Sequence, residues 1–170
     1  PMSRSKHQLM LLFYPLAFAT LDLSGYDLIL SLSSGFSHGI RTPASSRHVS
    51  YCLTPPRFLW NYDSYVRLEG VGRGARLALR PTVPLLKSWD YHAARRVGRF
   101  VAISDVVRER ILRHYGRSSA VIYPPTAVDS FTPSGEIDDY FLIASRLIPY
   151  KRVDLAIEAC NTLRLSLIHI

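Results

Sequence analysis

Tyr140–Cys160 reads YFLIASRLIPYKRVDLAIEAC, and the fold class turns on it. Tyr140–Ala144 is a short apolar run, the pattern of a buried strand. Ser145–Lys151 holds Arg146, Pro149 and Lys151 and reads as a loop. From Val153 onward, apolar residues recur at 153, 156, 157, 160 and 163, which is one face of a helix. The expected order is strand, basic loop, helix. A helix N-terminus offers unpaired N–H groups and a partial positive charge. Arg146 at the strand end and Lys151 at the helix start add two full charges beside it. Arginine grips phosphate bidentately and lysine acts as a point charge, so the arrangement suits a diphosphate. The same spacing is also met by two ordinary solvated surface cations, and both readings stay open at this point.

Upstream, strands and helices alternate. Arg99–Ile103 reads as a strand, and Ser104 or Asp105 caps a helix running to about Tyr115, with Gly116 as its stop. Val107, Ile111 and Tyr115 form the apolar stripe of that helix, Arg113 lies opposite it, and Arg108 and Arg110 flank it. Ala120–Tyr123 is a further strand, closed by Pro124-Pro125. Pro84–Val97 has helical spacing, with Asp90 placed to pair with Lys87 on the same face. His48–Leu53 is a strand, broken by Thr54-Pro55-Pro56, which opens a helix through Trp60 to Leu68. Arg57, Trp60 and Tyr62 then lie near a strand's carboxyl end, where α/β proteins place ligands, or serve only as helix packing and surface. Tyr26–Leu32 is a near-continuous apolar run, which predicts a strand buried on both faces of a parallel sheet. In the following SSGFSHGIR segment, His38 is either a polar contact in a cleft or a capping, solvent-facing residue. Such alternation argues for an α/β fold with a Rossmann-like parallel sheet covered by helices.

Gly70–Ala75 superficially matches a dinucleotide fingerprint, but the preceding segment reads as helix, so residues 70–80 are expected to form a basic loop. Residues 126–139 form a Pro-, Gly- and acid-containing linker, which places a domain boundary at 134–139. Residues 1–133 then make a first, partial domain and residues 140–163 begin a second. Arg164–Ile170, RLSLIHI, does not continue the pattern and reads as a non-native tail outside the fold. At the other end, the sequence opens on Pro1, and Arg4, Lys6 and the apolar run Leu9–Ala19 imitate a signal peptide. A connector within the fold is the favoured reading of that run, which is too short to span a membrane.

The 170 residues suffice for about one domain, and 48% hydrophobic with 20% charged residues is ordinary for a globular protein. The net charge of +8 is concentrated. Arg67 to Arg117 holds twelve of the 21 Lys and Arg against four acids, Glu69, Asp90, Asp105 and Glu109, which accounts for the whole surplus. A zone of this kind attracts phosphate, anionic lipid or nucleic acid, or is simply a solvated face. Cys52 and Cys160 both read as small buried hydrophobes without a metal-ligand neighbour, which fits a reducing compartment.

The stretch SRLIPYKRVDLAIEA resembles the segment opening the second domain of family-4, GT-B-type glycosyltransferases. The resemblance extends upstream through LDLSGYDLIL, RTP, HVSYCLTPPRFLW, SWDYHAARRVGRFVAISDVVRERILRHYGR and AVIYPPTAVDSF, and covers most of residues 12–163. It implies a retaining, mannosyltransferase-like enzyme of polysaccharide assembly that moves a sugar from a GDP- or UDP-linked donor to a glycan or lipid-linked acceptor. Arg146 and Lys151 would hold the donor diphosphate, and His38, Arg57 and Trp60 would line the acceptor cleft. No cofactor or metal is implied, and no residue is carried over as catalytic. The family's histidine before Thr-Pro is Leu53 here. Its N-terminal glycine-rich loop and its later pair of glutamates are not in this sequence, so the resemblance implies a piece truncated at both ends and inactive alone. The expected location is cytoplasmic, with peripheral membrane contact through the basic zone. The alternative is a non-catalytic basic module on anionic membrane or nucleic acid; no RNA-binding aromatic signature or helix-turn-helix spacing supports the latter, so nucleic acid is not an expected partner.

Overall fold

The computed structural model describes residues 10, 13–68, 72–133, 135 and 137–169. Its elements are α1 (Tyr14–Ala19), β1 (Leu28–Ser33), β2 (Arg47–Cys52), α2 (Arg57–Trp60), α3 (Tyr62–Leu68), α4 (Arg73–Leu79), α5 (Thr82–Arg96), β3 (Arg99–Ala102), α6 (Asp105–Tyr115), β4 (Ser119–Val121), β5 (Phe141–Ile143), α7 (Val153–Leu163) and β6 (Leu167–His169). Short 3-10 turns occupy Ser37–Gly39, Val128–Ser130 and Pro149–Lys151. β1 to β4 form one parallel sheet in sequence order, and β5 pairs with β6 in a second, two-stranded parallel sheet. The fold is therefore α/β with a four-stranded parallel sheet.

Parallel neighbours need a crossover of a dozen or more residues between them. Residues 34–46 supply it between β1 and β2, α2 to α5 between β2 and β3, and α6 between β3 and β4. The end of α5 and the stripe of α6 pack against one face of the sheet. There Cys52, Phe100 and Ala102 from the strands pack against Ala94 and Val97 from the end of α5, and against Val107, Ile111 and Tyr115 from α6. A second cluster joins Phe36, Leu59 and Leu86, with Tyr14, Phe18, Phe58 and Trp89 around it. The Phe36 ring meets Phe58 at 5.4 Å and Trp89 at 5.5 Å, both edge to face. Gly39 is required here: a Cβ at that position would stand 2.2 Å from Trp89 Cη2.

α6 follows its sequence signals closely. Ser104 Oγ accepts a 3.4 Å hydrogen bond from the Val107 amide, and Gly116 ends the helix at φ 65°. Elsewhere the structure departs from expectation. β1 alternates instead of burying both faces: Ile29, Ser31 and Ser33 point inward, while Leu28, Leu30 and Leu32 remain 62%, 67% and 62% exposed. Leucine is apolar on either side of a strand, so composition alone did not reveal that helices cover only one face.

Residues 73–79 are helix rather than loop, because Arg, Ala and Leu favour helix strongly enough to outweigh the glycine at 74. Residues 69–71, at the start of the expected loop, lie outside the described residues. The helix expected over 57–68 is broken at Asn61, whose φ of −133° is not helical. Leu167–His169, expected outside the fold, form β6: Phe141 pairs with Leu167, Leu142 with Ile168 and Ile143 with His169. A two-residue side-chain period with Leu and Ile suits a strand, and α7 provides the crossover. Tyr14 and Phe18 on α1 pack into the aromatic cluster, while residues 1–9, 11 and 12 of the signal-like segment lie outside the described residues. Among the described residues no helix is long and apolar enough to cross a membrane.

Candidate functional site

The Ser145–Lys151 loop runs from the carboxyl end of β5 to the start of α7. Arg146 is exposed, and its carbonyl accepts from the Ile148 amide at 2.9 Å. Ser145 Oγ is shielded from solvent and has no hydrogen-bond partner. Lys151 ends the 3-10 turn, with its ammonium 5.7 Å from the Tyr150 ring centroid. The same ring carries the Arg57 guanidinium at 4.9 Å. Tyr150 thus brings together one cation from the loop and one from α2, ninety-four positions apart in the chain. Beside this junction lies a cavity of about 740 Å³, lined by Ser64, Arg67 and Leu68 of α3 and by loop and α7 residues including Pro149, Arg152 and Asp154.

The α7 N-terminus already has an anion of its own. Asp154 accepts from Arg152 through Nε and Nη2 at 2.9–3.1 Å. Its carboxyl is held below the usual range, first by the Arg152 hydrogen bond and also by the Arg152 charge and backbone amides. Arg152 itself adopts a left-handed conformation at φ 52°, where the chain turns from the loop into the helix.

His38 does not line a cleft. It is 2% exposed, at the centre of a buried polar network. Its Nδ1 lies 3.0 Å from Ser33 Oγ and its Nε2 3.1 Å from Asp90 Oδ1. The second contact is of ion-pair length but is not aligned as a hydrogen bond. Asp90 Oδ2 also accepts from Trp60 Nε1 at 2.7 Å and from Tyr115 OH at 2.9 Å. The chain Ser33–His38–Asp90 has the residue types of a nucleophilic triad, yet Ser33 is 2% and Asp90 0% exposed, so no substrate reaches it. The expected Asp90–Lys87 pair is replaced by this network, because Asp90 faces the core while Lys87 sits 5.7 Å from the Trp60 ring. The buried carboxylate and its low-dielectric surroundings push the Tyr115 phenol well up, burial first and Asp90 next. Burial, then Asp90, pushes the Cys52 thiol up to about 12, which rules out a ready thiolate there.

Trp60 is half-buried, and Arg57 is exposed beside it. Three arginines of the basic zone hold the scaffold. Arg117 donates to the carbonyls of Ala94, Arg95, Val97 and Gly98 at 2.8–3.2 Å, closing the end of α5. Arg96 donates to Gly39 O at 3.3 Å and Arg76 to Val66 O at 3.0 Å. Among the described residues no group of three or more His, Cys, Asp or Glu is placed to hold a metal ion. No protein-family model matches the chain, and no curated protein or solved structure matches it.

Proposed function

We propose that this chain carries part of a retaining, GT-B-type glycosyltransferase of family 4, with Arg146 and Lys151 gripping the diphosphate of a nucleotide-sugar donor. The observation that supports the reading most is the position of the Arg146–Lys151 loop. It leaves the carboxyl end of a parallel strand, beside a cavity of about 740 Å³ that Leu147, Ile148 and Pro149 of the loop line together with α3, while Arg146 and Lys151 stand outside the lining. Ligands of open α/β sheets bind at that end of the strands. The unpartnered Ser145 Oγ adds a hydrogen-bonding group to the same loop. In such a reaction the glycosidic oxygen leaves with the nucleoside diphosphate, and negative charge grows on the β-phosphate. Arg146 and Lys151 would stabilise that charge electrostatically. Arg57, drawn to Tyr150, belongs on the acceptor side.

Calorimetric titration with GDP and with UDP tests the reading. One nucleotide is expected to bind, and Arg146→Ala and Lys151→Ala each to weaken it about tenfold or more, as loss of a charge-assisted contact does. Binding that neither substitution alters, or no binding of either nucleotide, would count against the loop as a diphosphate site.

A further inference from the structure

A second cavity, about 370 Å³, lies between α2 and the second half of α6. Thr54, Arg57 and Trp60 line one part of it, and Arg110, Arg113 and His114 another. Thr54 stands two residues past the end of β2, so this hollow too is near a strand's carboxyl end. Arg110, Arg113 and His114 occupy positions i, i+3 and i+4 and share one face of α6. A helix C-terminus favours cations, which accounts for Arg113 and His114 but not for Arg57, which arrives from another element.

Among the described residues, no carboxylate lies within ion-pair distance of Arg57, Arg110, Arg113 or Lys87. Arg110 Nη1 makes only a long, 3.3 Å hydrogen bond to Thr54 Oγ1. Asp90 is near but fully buried, bonded to the indole nitrogen and absent from the lining. Trp60 is thereby held in one orientation, with the His114 ring stacked on it at 4.6 Å and 25°. The imidazole registers the surplus: it is pushed below its ordinary range by burial first, then by Arg113, Arg110 and Lys87, with Asp90 opposing. A neutral ring beside three guanidinium groups leaves one further hydrogen bond for a ligand oxygen.

We propose that this hollow binds a phosphate group carried on a small organic body, with Arg110 and Arg113 as its principal ligands and Arg57 and His114 closing the shell. Guanidinium forks lining one hollow suit the tetrahedral, doubly charged oxygens of a phosphomonoester. The volume exceeds what a bare phosphate needs. Binding here does not depend on the donor reading, because neither Arg146 nor Lys151 lines the hollow. The further consequence that the sugar acceptor bears phosphate does rest on that reading.

The experiment uses the full chain and, separately, the chain with Arg146→Ala and Lys151→Ala, which silences the loop. Each is titrated with glycerol 3-phosphate by calorimetry and floated with vesicles containing phosphatidic acid, so that a soluble ester and a lipid headgroup are told apart. Binding of either probe is expected, retained in the loop-silenced chain and weakened about tenfold by Arg110→Gln and by Arg113→Gln. Arg108→Gln removes the same charge from the same helix at the exposed Arg108–Asp105 pair and is expected to leave binding within about twofold. If Arg110→Gln fails to fold, judged by its melting curve, exposed Arg113 decides the matter alone. Failure of both probes to bind, equal loss in Arg108→Gln, or loss of binding on silencing the loop overturns the proposal.

Discussion

The four-stranded sheet and the β5–α7–β6 unit share one construction, parallel strands joined through a helix, but differ in what they bury. Behind the larger sheet, Phe100, Ile111 and Tyr115 are 1%, 0% and 3% exposed, and a hydrogen-bonded carboxylate joins α5, α2, α6 and the Ser37–Gly39 turn. Among the described residues of the smaller unit only Val153 is buried, and Leu142, Leu155 and Ile157 remain about half exposed. A strand–helix–strand unit has one helix to cover one face of two strands, too little for a closed core. The difference bears on function. The phosphate hollow rests on packed elements, whereas the Arg146–Lys151 loop rests on a unit with little to hold it.

The largest expected effect comes from the buried hub. Asp90→Ala removes the acceptor of Trp60 and Tyr115 and the partner of His38 and should cost about 3–5 kcal/mol in urea denaturation. A loss under about 1 kcal/mol would mean that the network does not hold the larger unit together. Next is a direct contrast between the units. Ile111→Ala should cost about 2–5 kcal/mol, and Leu155→Ala, half exposed on α7, less than about 1 kcal/mol. Equal costs would erase the distinction.

A further contrast is a pH dependence confined to the larger sheet. His48 is buried, with Nε2 2.9 Å from Ser31 Oγ, and its pKa falls from 6.5 to about 4 through burial first, then His38 and Arg96. Between these values the unfolded chain binds a proton that the folded chain refuses. Its contribution is therefore complete above pH 6.5 and is lost as the pH falls towards about 4. His48→Asn should flatten that part of the stability profile measured by denaturant titration. An unchanged slope would place its origin elsewhere.

These comparisons also mark what the sequence made legible. α6 could be read almost to the residue, because Ser104, the Val107–Ile111–Tyr115 stripe and Gly116 are local signals carried by one stretch of chain. β2, β3 and α5 were legible to within two residues for the same reason. Asp90 was misread because its neighbours in helical spacing include Lys87, while its actual partners come from three other elements. His38 had two sequence readings, a polar contact in a cleft or a capping, solvent-facing residue, and it is neither, because the packing of α5 over the turn encloses it. Arg113 was recognisable as lying away from the stripe, but its approach to Arg57 spans a stretch of chain that no periodicity connects. The bare side of β1 was hidden because an outward leucine and an inward one are the same letter.

That bare side changes what the composition means. Full burial of a leucine is worth about 1.5–3 kcal/mol, so Leu28, Leu30 and Leu32, each roughly two-thirds exposed, leave several kcal/mol unrealised. The amount is comparable with the net stability of a whole domain, about 5–15 kcal/mol. A hydrophobic fraction of 48% therefore counts residues that hold nothing together in this arrangement, and it overstates the cohesion of the chain. Two sequences with the same apolar inventory can differ by that margin solely through which side of one strand faces the helices.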